Sequence, residues 1–189
     1  MSLRPLVLEL IMIRGALLTL ALASAPLAAV AETPPIPSRV DYAGFAALTD
    51  ELQADRAQHL VTLDRFWALA AEGDTLILDA RSRDAFARGH IAGAVNLPFT
   101  DFTAQSLAQV IGDPNRRVLI YCNNNFVNNT EPVVTKSVRL ALNIQTFINL
   151  HGYGYANVYE LSEAVDFNSP GCAGSGTTGR RTRRRASPP

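Results

Sequence analysis

Reactive sulfur is scarce in this chain, whose 189 residues include two cysteines, Cys122 and Cys172, fifty positions apart. Thiols so widely separated form no Cys-x-x-Cys box, and His59 and His151 stand alone without ligand spacing. The pattern therefore predicts neither a metal site nor a cofactor. Long apolar runs are missing as well. The apolar segment ALLTLALA, residues 16–23, is too short to span a bilayer, and nothing later in the chain is long enough to do so. A basic surplus is also absent from the body of the chain, where residues 32–179 hold ten Lys and Arg against sixteen Asp and Glu, a net charge of minus six. Such an acidic body argues against binding nucleic acid.

The two ends read as something other than fold. The apolar segment follows Arg14 and precedes Ala29-Val30-Ala31, the small-x-small pattern read by signal peptidase, so residues 1–31 are expected to be a secretory signal cleaved after Ala31. That predicts a periplasmic or secreted protein with no stable membrane span after cleavage. Met12-Ile13-Arg14 would make an ordinary basic start to such a signal, which makes Met12 a candidate initiator. Residues 170–189 are Gly, Ser, Thr, Pro and Arg with almost no large apolar side chain, a composition that cannot offset the entropy of ordering. A disordered, solvated tail is expected from residue 169, its five arginines bringing the whole chain to zero net charge.

Between these ends, short apolar runs alternate with helical spacing. A helix is expected over Tyr42–His59, a strand at Leu60–Leu63 and a short amphipathic helix capped by Asp64 and ended by Gly73. The run TLILD, Thr75–Asp79, is the clearest strand; a short helix opened by Ser82 or Asp84 follows and stops at Gly89. Further strands are expected at Ala92–Leu97, Arg117–Tyr121 and Asn157–Leu161, with helices at Leu107–Ile111 and Leu140–His151. Strands alternating with helices predict an open parallel α/β sheet, with its ligand crevice outside the carboxyl ends of the strands. Cys122 stands at such an end, directly after RVLIY, and is followed by Asn123, Asn124, Asn125, Phe126 and Val127.

The segments LILDARSRDAFARGHIAGAVNLP (Leu76–Pro98), VLIYC (Val118–Cys122) and GYGYANVYEL (Gly152–Leu161) resemble the rhodanese-like domain, in the family's order and over roughly Leu60–Asp166. The resemblance implies a five-stranded parallel sheet with helices on both faces and a cysteine that carries sulfur as a persulfide. The resulting division is a signal peptide (1–31), a lead with a helical extension (32–59), the rhodanese-like domain (60–168) and the tail (169–189).

The chemistry can also be argued from the residues. Sulfur transfer needs a thiolate, because only ionised sulfur attacks the sulfane sulfur of a donor such as thiosulfate. Asn tolerates tight, left-handed curvature, so N–H groups from Asn123 to Val127 are expected to converge on Cys122, lower its pKa and bind the small sulfur-containing anion. A thiol or cyanide would then accept the sulfur. Asp79 and Arg81 are expected to be a structural pair at the carboxyl edge, and His90 a loop-fixing hydrogen-bond donor.

The chain departs from the family pattern in two ways. Val127 stands where many thiosulfate-using members carry a cation, and Lys136 is the first basic residue after Cys122. A donor would then be held by backbone dipoles alone. The loop spanning residues 123–139 is also long, contains Pro132, and is a candidate lid, partner-binding segment or plain surface loop. Two other functions compete with sulfur transfer. A non-catalytic module would bind a partner or an oxyanion. A cysteine phosphatase needs an Arg where Asn128 stands, which ranks it last. A Cys122–Cys172 disulfide is a further alternative, and it would disable the thiol.

Overall fold

The computed structural model describes residues 37–173. The expected signal peptide and most of the arginine-rich tail lie outside the described residues. The elements in order are α1 (Tyr42–Gln58), β1 (Leu60–Val61), α2 (Leu63–Ala70), β2 (Thr75–Asp79), α3 (Arg83–Arg88), β3 (His90–Ile91) and β4 (Val95–Asn96). Then come α4 (Ala104–Val110), β5 (Arg117–Tyr121), α5 (Leu142–Gly152), β6 (Val158–Leu161) and β7 (Cys172–Ala173). Five strands form an open, all-parallel sheet in the order β1-β6-β5-β2-β4.

Burial explains why β5 occupies the centre. Val118, Leu119 and Ile120 are fully buried, and each such side chain stabilises the fold by about 1.5–3 kcal/mol relative to exposure. Alternation along the strands divides the core into two layers. Leu76, Leu78, Val118 and Ile120 face Leu107, Ile111, Phe147 and Leu150, on the side covered by α4 and α5. Ile77, Leu119 and Tyr121 face Phe66 and Leu69 of α2, together with Ile91, Phe126 and Val133. The sheet therefore has helices on both faces, as the alternation of runs predicts.

Several local expectations need correction. Thr62 caps α2 in place of Asp64, because β1 ends at Val61 and leaves Thr62 extended, with its Oγ1 accepting the Arg65 N–H at 3.3 Å. Asp64 falls instead in the first turn, where its charge complements the helix dipole. Ser82 rather than Asp84 caps α3. α5 begins at Leu142, after a separate 3₁₀ turn at Val138–Leu140 and an extended Ala141. α1 is present as expected but buries none of its residues. It is attached by Leu52, by Arg56 pairing with Glu160 and by Asp55 3.3 Å from His151.

The order continues past the expected domain end. Cys172 and Ala173 pair antiparallel with Ile91 and His90, so the disorder expected from residue 169 does not hold up to residue 173. Gly171 makes this possible. Its φ is +106°, and an added Cβ would sit 2.7 Å from the Trp67 ring.

Candidate active site

Cys122 follows β5 at the carboxyl edge of the sheet and is 2% exposed. Its extended backbone opens a 3₁₀ turn over Asn123–Asn125, closed by the Asn125 N–H donating to the Cys122 carbonyl at 3.0 Å. The N–H of Asn124 reaches the sulfur, as do those of Leu142 and Asn143 at the start of α5. The late start of α5 does not remove the helix from the site: its first turn, whose N–H groups have no partners within the helix, closes back on the cysteine.

These donors oppose a larger effect. Burial pushes the Cys122 thiol above its ordinary value, the negative charge of Glu160 pushes the same way, and the backbone N–H groups of Asn143, Asn124 and Leu142 pull it down without prevailing. The expected lowering of the thiol pKa is thus reversed. Desolvation outweighs the peptide dipoles.

The asparagine run acts mainly through its side chains. Asn125 Oδ1 accepts the Cys122 N–H at 2.9 Å and the Asn143 Nδ2 at 3.0 Å, while its Nδ2 donates to Leu161 O and Glu163 O. Asn123 Nδ2 donates to Val134 O at 2.7 Å, and Asn124 both donates to Lys136 O and accepts from Lys136 N. Among the described non-glycine residues only Asn129 has a positive φ, so left-handed curvature at Asn123–Asn125 is not how the turn forms. Phe126 and Val127 do not face the thiol. Their N–H groups donate to Asn123 O and Val165 O, and the Phe126 ring packs edge-on against Tyr121 and Phe167. Asn128 binds Asp166 and the Phe167 N–H.

Asp79 and Arg81 form a buried pair, Nη2 to Oδ2 at 2.6 Å, and Arg81 Nη2 also donates to Gly89 O. Tyr121, aligned with Asp79 across β2 and β5, donates its hydroxyl proton to Asp79 and accepts the Ile91 N–H. This network ties β2, β3 and β5 together beside the cysteine. His90 stacks on Phe86 and bonds Phe86 O through Nδ1.

Two clefts reach Cys122. One, of about 310 Å³, is lined by Arg81, Arg88, Asn123, Asn124, Lys136 and Leu142, among others. The expectation of no nearby cation is therefore corrected: tertiary folding supplies the charges from α3 and the long loop. The second, about 270 Å³, brings Cys122 beside Arg56, Asn143 and Glu160. Cys122 and Cys172 are both free thiols. Among the described residues no cluster of three or more His, Cys, Asp or Glu could hold a metal.

Fold and site together define an α/β domain with a single cysteine at the carboxyl edge of its parallel sheet. The family model for the rhodanese-like domain matches residues 62–166, more than half of the chain, and the chain belongs to that family. Among solved structures it is similar to the Rhodanese_3-like domain of the Alr3790 protein from Anabaena sp., at 22% identity over 48% of this chain and 79% of that one, with a TM-score of 0.36. It is similar as well to the Alr3790 protein (20% identity, 53% of this chain and 68% of that, TM-score 0.41). A third structure is the anaerobic ergothioneine biosynthesis enzyme from Chlorobium limicola, in complex with trimethyl histidine (23% identity, 54% of this chain and 24% of that, TM-score 0.39). The curated proteins include no match.

Proposed function

We propose that this domain is a sulfurtransferase with Cys122 as its persulfide carrier. The Cys122 thiolate attacks the outer sulfur of an anionic donor such as thiosulfate. The donor's sulfur–sulfur bond breaks with sulfite leaving, and a Cys122 persulfide forms. A thiolate or cyanide then attacks the outer sulfur, carries it away and returns the Cys122 thiolate. The observation that carries this reading is the set of three backbone N–H groups, of Asn124, Leu142 and Asn143, aimed at one sulfur at the edge of the sheet. They are positioned to hold a negative charge on that sulfur and on the one bound to it.

The expected location is the periplasm or the exterior, on the strength of the apolar segment and small-x-small site within residues 1–31. Intact-mass measurement after incubation with thiosulfate should reveal an adduct of about 32 Da that cyanide removes. Failure of every sulfane donor tried to give that adduct would overturn the proposal.

The burial of Cys122 and its raised pKa favour a second reading, a rhodanese-fold module that binds without chemistry. Cys122→Ser separates the two. The carrier reading requires loss of all sulfur uptake, whereas the binding reading requires ligand or partner affinity to survive unchanged.

A further inference from the structure

The charges in the cleft over Cys122 are unequal in effect. Arg81 is neutralised by Asp79, and Arg88 is held between Asp84 and Glu131, each at 2.9 Å. Lys136 is different: it lines the same cleft, and among the described residues no ion pair engages it. It is also the only lysine in a chain whose other sixteen basic residues are all arginine.

Its position is fixed from beside the cysteine. Asn124, two residues after Cys122, grips the Lys136 backbone at both polar atoms, donating to its carbonyl at 2.9 Å and accepting its N–H at 3.0 Å. Asn123 holds Val134 O, Asn129 Oδ1 accepts the Thr135 N–H at 3.0 Å, and Val133 is buried in the core. The long loop is thus pinned at Lys136 and over the three residues before it. An ammonium without an ion-pair partner at the cleft over a buried thiol attracts anions toward it, and the Asn124 clamp holds the Lys136 backbone at that cleft without the entropy cost of ordering a free loop.

We infer that Lys136 selects anionic reagents and donors for Cys122, with Asn124 as its positioning residue. The inference rests on the sulfur-carrier reading for the identity of the donor, an anionic sulfane-sulfur compound. The selectivity itself can be read without turnover. Iodoacetate and iodoacetamide alkylate the same thiolate with loss of iodide and differ in charge, so the ratio of their rates at Cys122, scored by peptide mass so that Cys172 is counted separately, reports the local field.

Lys136→Met should lower the iodoacetate-to-iodoacetamide ratio about two- to fivefold, the range an exposed charge pair supports, and Lys136→Arg should restore it. Asn124→Ala, which leaves the charge and frees the loop, should lower the ratio in the same direction. Acetylating the purified wild-type protein at its only ε-amine should do the same without relying on a variant that folds. With thiosulfate as substrate, Lys136→Met should raise KM while leaving kcat near the wild-type value. An unchanged ratio in both Lys136→Met and the acetylated protein overturns the inference, even if wild-type protein takes up sulfur. A lowered ratio in a protein that takes up no sulfur from any donor sustains the anion selectivity and sinks the sulfur-carrier reading.

Discussion

Asn125 Oδ1 accepts the Cys122 N–H at 2.9 Å while the same side chain binds Asn143 and the carbonyls of Leu161 and Glu163. One amide thus joins the end of β5, the end of β6 and the start of α5, and it sets where the helix N–H groups meet the sulfur. Asn125→Ala should cost about 2–3 kcal/mol, because several buried polar groups lose their partner at once. The urea midpoint measures it, and a loss under about 0.5 kcal/mol would show that water replaces the amide.

The raised Cys122 thiol predicts the pH dependence of its reactivity. Burial favours the neutral form, so alkylation by iodoacetamide should climb with pH and reach half its maximum above the ordinary thiol value of about 8.5. Glu160→Gln removes the charge that adds to this shift and should move the midpoint down. The same shift has a stability consequence. A thiol with a higher pKa folded than unfolded contributes stability that is fully present below the unfolded value and is lost as pH rises through the folded one. Cys122→Ser should therefore reduce the alkaline loss of stability, read as the difference in melting temperature between neutral and alkaline buffer.

Arg81 and Tyr121 hold Asp79, which is fully buried. Arg81→Ala should cost about 3–5 kcal/mol by leaving that carboxylate without its cation, whereas Tyr121→Phe, which keeps the ion pair, should cost about 1–2 kcal/mol. Thermal denaturation of both variants checks the order. Equal losses would mean that the hydroxyl stabilises the buried carboxylate as much as the guanidinium does.

Gly89 closes α3 where an added Cβ would stand 2.1 Å from the Phe167 ring. Gly89→Ala should therefore displace Phe167 from Phe126 and cost about 1–3 kcal/mol. Faster hydrogen exchange at Val127 and Val165, which join the Phe126 and Phe167 segments, is the expected signature, and unaltered exchange there would refute it.

β2 and β5 were legible in the sequence because each is a local apolar run whose burial needs no knowledge of its neighbours, and the cysteine at the end of one run marked the edge of the sheet. β3 and β7 were not. They are two residues each, and their pairing depends on Gly171 passing under Trp67, a contact between distant segments that no periodicity encodes. The site divides along the same line. Residue identity pointed to Cys122, Asp79 and Arg81, but the helix N–H groups at Leu142 and Asn143 belong to the backbone, and residue type says nothing of where a backbone turns. Lys136 lies fourteen residues beyond the thiol and is returned to it by the asparagine side chains. Its isolation as the single lysine is the one sequence signal that could have drawn attention to it.

The attachment of α1 has an unusual sensitivity. Because Arg56 grips Glu160 with two charged hydrogen bonds of 2.8 Å and the helix fully buries none of its residues, its hold on the sheet rests on charge as well as on the half-buried Leu52. Raising ionic strength shortens the Debye length to about 3 Å at 1 M and loosens such a hold while leaving an apolar core intact. In brine, the first helix should peel away before the sheet melts, baring the Glu160 carboxylate on the flank of the thiol.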